Sequence, residues 1–440
     1  MRRIILCLIL ISVFSLLFAC QNSTTQSNGT ESVPSIERAP NAATVSMSSQ
    51  EASSTTQGMV STQETFSSEQ ASSTQHAPAS LINSTTTSST PQIDSTTLQG
   101  VNPISIRSVK WLGYQQANNS CSHRDLGFTG KLAGKWYAVY GDTLWAAPGV
   151  TSMFNDTPGF HGIVRDSISL MTDDPLAVVD LHLNNDEPVP HQLQFVPYFD
   201  GWGETNRFGF GGTSVCEVDG ENAIGVVYYL VNANEAGLIG AGAGKIQVLN
   251  GTPTVTERFG IPGYWWDANT TARYGDVCAY RDEWSHHIYI WGGPPTYVKD
   301  WGDMAYSYLA RVKAKDAFDP TGYEYWWGRQ RGWKKEVLTS FTPETAALWG
   351  TGQGQVLWSK WFGCYVMVHT STFGSTIMLR TALSPEGPWT PDIEVYTAVP
   401  IDDGMVYAGV AHPYHDESGE TLILSYTNSN YIEVLKVEFD

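Results

Sequence analysis

The sequence predicts an all-β domain folded as a five-bladed β-propeller. Three observations carry that expectation: an aromatic-rich composition confined to the last 340 residues, one strand–turn–strand pattern that recurs five times, and strand-like runs at the two ends of that region. Of the 440 residues, 42% are hydrophobic and 16% charged, ample for a packed core. All 16 Trp lie after residue 100. The chain carries 25 Lys+Arg against 44 Asp+Glu, a net charge of -19. That balance excludes nucleic acid as a natural partner, because phosphate binding needs a basic face.

Residues 1–20 place Arg2 and Arg3 before an apolar run from Ile4 to Phe18, with Ala19 and Cys20 following. This is the order of a secretory signal, and the run is short for a membrane span. The Leu17-Phe18-Ala19-Cys20 ending resembles the lipobox of bacterial lipoproteins, which implies Cys20 as the lipidated residue. The protein is therefore expected to be exported, either lipid-anchored to a bacterial cell envelope or secreted. Residues 21–100 contain 34 Ser or Thr, one aromatic (Phe66) and one basic residue (Arg38). They bury too little apolar surface to offset the entropy of ordering, so they read as a disordered stalk with a reach of roughly 50 Å.

The third segment, 101–440, is expected to be the propeller. It retains 22 basic and 38 acidic residues once the first hundred, with 3 and 6, are removed, so it is itself acidic. Runs of four to six residues rich in Val, Ile, Tyr and Trp alternate with Gly, Asn, Asp and Pro. The five copies pair 125–128 with 136–140, 214–218 with 223–228, 276–280 with 288–291, 355–358 with 364–368, and 409–412 with 421–426. The run Ile104 to Trp111 is expected to close the ring against Tyr431 to Phe439. A β-sandwich with similar hairpins is the alternative architecture. Cys121, Cys216, Cys278 and Cys364 are widely spaced with no CxxC, so zinc is not expected, while their pairing stays open.

In a propeller the first strand of each blade lines the channel and the second returns. The start of the first and the end of the second therefore share one mouth. That geometry brings together Asp125 of Arg124-Asp125-Leu126-Gly127 and Asp142 of Gly141-Asp142-Thr143, although 17 positions separate them. Two carboxylates converging on a pocket can divide acid from base or nucleophile if their environments push their proton affinities apart. Asp276 occupies the matching position in the third copy and is the third catalytic candidate. Asp in Gly-Asp-Thr is also a common turn residue, and Arg124-Asp125 reads equally as a structural pair.

Around this mouth Arg124, Asp166, Trp145, Gln355 and His412 are the candidates for contacting substrate. Trp202, Trp265, Trp266, Trp326 and Trp327 also fall near loops, where indoles stack on the apolar faces of sugars or simply pack the core. The glycine-rich stretches 209–212 and 237–244 lack phosphate-loop spacing and read as tight turns. No HExxH, GxSxG or EF-hand loop is present. No cofactor or metal is expected, and the axial channel is where a structural cation would sit.

The segments Cys121-Ser122-His123-Arg124-Asp125-Leu126-Gly127 and Gly141-Asp142-Thr143 resemble the opening blade of a large family known as a domain of unknown function, DUF4185. That family includes the endo-D-arabinanases of glycoside hydrolase family 183. Ser384-Pro385-Glu386-Gly387-Pro388-Trp389 and Ala411-His412-Pro413-Tyr414 are similar to blade motifs of five-bladed glycosidases such as arabinanases and fructosidases. The resemblance implies a propeller that cleaves a furanosidic or related glycosidic bond, with Asp125 and Asp142 as its carboxylates. It departs at Val164-Arg165-Asp166-Ser167, where Asp166 stands in place of an expected Asn. The resulting expectation is an exported, monomeric glycoside hydrolase acting on a polysaccharide. A non-catalytic carbohydrate-binding propeller and a protein-binding module are the alternatives.

Overall fold

The computed structural model describes residues 102–119, 122–146, 162–186, 190–233, 236–300, 305–371 and 374–440. The export signal, Cys20, the Ser/Thr-rich stretch and Cys121 lie outside the described residues. Five sheets stand as blades, and a sixth pairs Leu183–Asn184 with His191–Gln192. Their inner strands are Ser122–Leu132, Cys216–Asp219, Arg273–Asp282, Thr351–Ser359 and Val406–His412, each hydrogen-bonded to the strand that follows it. Each inner strand packs on the next around the axis, and the fifth packs on the first. These are the five hairpins legible as repeats, so the propeller expectation holds and the sandwich does not.

Closure also follows the expected route. In blade five the order from the axis is Val406–His412, Thr421–Asn428, Tyr431–Phe439 and then the N-terminal strand Ile106–Tyr114. The last pair runs antiparallel from Ile106 opposite Phe439 to Tyr114 opposite Glu433. Because the outermost strand comes from the other end of the described chain, the ring is tied shut by a backbone hydrogen-bond ladder, broken by two register shifts.

The near-continuous apolar runs have a physical cause. A blade is covered on both faces by its neighbours, so both sets of alternating side chains are buried. In Lys135–Trp145, Tyr137 and Val139 pack toward blade two, while Ala138 and Tyr140 pack toward blade five. Comparable cores fill the seams between blades two and three, three and four, and four and five. Among the described residues the only helices are short 3-10 turns, and no helix is long and apolar enough to cross a membrane. Cys216, Cys278 and Cys364 are buried free thiols.

Candidate active site

Four of the five inner strands break register near their first residues: between Arg124 and Phe128, Tyr274 and Cys278, Thr351 and Gly354, and Tyr407 and Val410. A bulge inserts an unpaired residue, bends the strand and re-aims its side chains. All four lie at the same mouth of the ring, and the first contains Asp125. Leu126 and Gly127 both adopt positive φ there, 67° and 89°. Leu126 is held in that unfavourable conformation by blade five, where Thr427 Oγ1 accepts its backbone N–H at 2.9 Å.

Asp142 arrives at this bulge from the end of the second strand, as the hairpin geometry requires. Gly141 is what lets the two carboxyl-bearing segments meet, since a Cβ there would lie 2.4 Å from Asp125 Oδ1 and 2.9 Å from Leu126 Cδ1. Asp125 Oδ2 accepts a 2.6 Å hydrogen bond from the Tyr407 hydroxyl, carried by the bulge of blade five. Its Oδ1 is buried with no hydrogen-bond partner among the described residues. Asp142 is 42% exposed and pairs with Arg165 at 3.4 Å.

Proton affinity is unequal across the pair. Burial, then the charge of Asp142, pushes the Asp125 carboxyl up to about 7, against the opposing pull of the Tyr407 hydroxyl and of the backbone N–H groups of Asp142 and Asp125 itself. Burial also raises Asp142, while the Arg165 guanidinium pulls it back. Because Asp142 is substantially exposed and paired with Arg165, water offsets much of that burial, and Asp125 is the carboxyl held more strongly in its protonated form.

Asp276 lies in the bulge of the inner strand of blade three, at this mouth, and is held in an ion pair with Arg273, whose Nε lies 2.9 Å from Asp276 Oδ2. It is the charge of Asp142, not of Asp276, that bears on Asp125. Asp166 is fully buried behind the mouth, where its carboxylate accepts the backbone N–H of Val196 at 2.8 Å. Burial raises its carboxyl well above the usual range. Asp166 has no exposed surface in the structure.

Arg124, Gln355 and His412, expected to contact substrate, are buried side chains with partners inside the protein. Arg124 is 5% exposed, makes a two-pronged ion pair with Asp180 at 2.8 and 3.2 Å, and stacks over Tyr140. Gln355 reaches across the channel to the Thr129 carbonyl at 2.8 Å and borders a cavity of about 540 Å³ at the opposite mouth. His412 is bonded to Ser425 at 2.8 Å, and burial depresses its imidazole to about 3, so it stays neutral. Trp145 stays beside Asp142's strand end, half-buried, stacked on His191 with centroids 4.0 Å apart. Trp266, Trp326 and Trp327 are interior residues. Among the described residues no cluster of three or more His, Cys, Asp or Glu forms a metal centre.

Tyr407 and Arg165 escape sequence reasoning. Tyr407 sits 282 positions from Asp125, just before the fifth copy. Arg165 was legible solely as part of Val164-Arg165-Asp166-Ser167, with attention on its neighbour.

Residues 260–437 match the model of a domain of unknown function, DUF4185, a stretch that spans blades three to five and leaves Asp125 and Asp142 outside it. A search among curated proteins returns no match. Solved structures share the fold at low identity. A provisionally assigned hydrolase from Bacteroides ovatus ATCC 8483 is 16% identical, with a TM-score of 0.50 over 74% of this chain and 87% of its own. A family 117 glycoside hydrolase from Zobellia galactanivorans is 11% identical, with a TM-score of 0.43 over 77% and 92%. An N-acetylgalactosamine deacetylase from F. plautii, bound to blood group B trisaccharide, is 14% identical, with a TM-score of 0.41 over 75% and 95%. At such identities the likeness concerns the fold alone.

Proposed function

We propose that this propeller is a glycoside hydrolase acting on a polysaccharide, with an arabinan-like or other furanosidic glycan as its substrate. The observation that carries the reading is the pair Asp125 and Asp142, brought to one mouth with different proton affinities. Asp125, protonated near neutral pH, donates its proton to the leaving glycosidic oxygen as the bond to the anomeric carbon breaks. Asp142, ionised beside Arg165, stabilises the oxocarbenium-like transition state and serves either as base to the attacking water or as nucleophile. With Asp142 as base, it takes the proton of the attacking water, and exchange with solvent then deprotonates Asp142 and reprotonates Asp125; with Asp142 as nucleophile, the glycosyl–Asp142 ester is hydrolysed by a water that Asp125, now a carboxylate, deprotonates, which restores both groups. The acidic domain favours a neutral glycan over an anionic one. Export, with Cys20 as lipid anchor, belongs to the same proposal and would place the enzyme at its polymer.

The test is release of reducing ends from arabinan, arabinogalactan, fructan and xylan by the full chain and by Asp125→Asn. Release that the substitution abolishes supports the proposal and names the substrate class. Polymer binding without any release would refute hydrolysis and favour a carbohydrate-binding propeller.

A further inference from the structure

The strand that closes the ring carries an aromatic feature that leads to the carboxylate pair. Trp111 and Tyr114 are 43% and 40% exposed, on the outermost strand of blade five. Three residues apart on a regular strand, they would point to opposite faces. A register shift between Trp111 and Gly113 removes that alternation, and Gly113 accommodates it at φ 140°, where only glycine is comfortable. The rings consequently meet, with centroids 5.6 Å apart. Tyr114 continues to Tyr431 at 5.6 Å, and Tyr431 to His123 at 5.4 Å, two residues before Asp125.

The outer end of this row is fixed in place. Trp111 Nε1 donates to Glu433 Oε2 at 2.7 Å, and the same carboxylate accepts from the Tyr426 hydroxyl and from Asn428 Nδ2, each at 2.7 Å. Glu433 is 7% exposed. An exposed indole held by a buried, triply bonded carboxylate pays little ordering entropy when a ligand stacks on it. The Arg124 backbone N–H donates to the Asn430 carbonyl at 3.0 Å, so the inner end of the row lies beside the strand segment that carries Asp125.

We propose that Trp111, Tyr114 and Tyr431 form a track of distal subsites that holds a neutral glycan chain running from the rim of blade five toward Asp125 and Asp142. Ring faces meet the C–H faces of successive sugars, and phenol hydroxyls meet their hydroxyls. This deepens the hydrolase reading and rests on it for the class of ligand. It also implies that the enzyme engages polymers better than short oligomers.

The test uses the full chain with Asp125→Asn to prevent turnover, run by affinity electrophoresis through arabinan, arabinogalactan, xylan and fructan. Retention by at least one polymer is expected, with dissociation constants rising roughly fivefold or more in Trp111→Ala and in Tyr114→Ala. Tyr114→Ala removes only an exposed ring, which guards against a folding defect caused by freeing Glu433. Equal retention of parent and variants, or no retention on any polymer, overturns the track. So does a fall in self-association on removing Trp111, seen by sedimentation, since it would mean that a second copy covers the rings. Reducing-end release by the unsubstituted chain decides the hydrolase reading separately: release without ring-dependent retention keeps that reading and refutes the track, and the converse refutes hydrolysis alone.

Discussion

Replacing Tyr407 with Phe removes one oxygen atom from the site and leaves the ring that fills the blade-five bulge. The lost interaction is the 2.6 Å hydrogen bond to Asp125 Oδ2. A hydrogen bond to an ionised group contributes about 1.5–3 kcal/mol. Part of it persists when the carboxyl is protonated, so the difference between the two forms is smaller. With 1.36 kcal/mol per pKa unit, the Asp125 carboxyl should rise by about one unit, two at most, from its starting position of about 7. The other charges bearing on Asp125 are Asp142 and, through it, Arg165, and neither is altered. Carboxyl ¹³C NMR of Asp-labelled protein reads the shift directly and needs no substrate. If Asp125 is the general acid, the basic limb of reducing-end release moves to higher pH by the same amount, because the acid stays protonated further. An Asp125 carboxyl that holds still or moves down in Tyr407→Phe would refute the reasoning. A raised carboxyl with an unmoved basic limb would remove Asp125 from the acid role.

Further outcomes follow from the same contacts. Asp125 has a folded-state pKa near 7 against an ordinary value of 3.8, so it binds protons more tightly when folded; its presence lowers stability as pH rises from about 4 and the loss is complete above about 7. Asp125→Asn should therefore be more stable than the parent at pH 8, by up to a few kcal/mol, with the gain vanishing below pH ~4 in denaturant titrations. Gly141→Ala forces a methyl to within 2.4 Å of Asp125 Oδ1, which should cost about 1–3 kcal/mol of stability and most of any hydrolytic rate, while distant Gly251→Ala leaves the rate alone. Asp180→Ala strands the buried Arg124 guanidinium and should lower the unfolding free energy by about 3–5 kcal/mol, measured in urea.

Much of the architecture was legible because hydrophobic pattern and turn chemistry are local. Val226-Val227-Tyr228-Tyr229 is apolar at every position since a blade is buried on both faces, and that run reads as a strand without reference to any other part of the chain. The pairing of Asp125 with Asp142 was equally accessible, because two antiparallel strands joined by a short turn must bring the start of one to the end of the other. The surroundings of Arg124, Gln355 and His412 were not legible, for the opposite reason. Their residue types suit a polar mouth, but the burial that makes Arg124 a partner of Asp180, and Gln355 a bridge to Thr129, depends on strands 56 and 226 positions away.

By itself, then, the sequence determined the class of fold, the count of blades, the strand that closes the ring and the two carboxylates of one hairpin, all consequences of period-two patterning and short-range turns. Only the tertiary structure decided how those carboxylates are tuned and approached. Tyr407 reaches Asp125 across the closing seam, Arg165 anchors Asp142 from the bend that follows Gly162–Val164, and a one-residue bulge before Gly113 turns Trp111 and Tyr114 to the same face. Each depends on register and on contacts between blades, which side-chain periodicity along one strand does not encode.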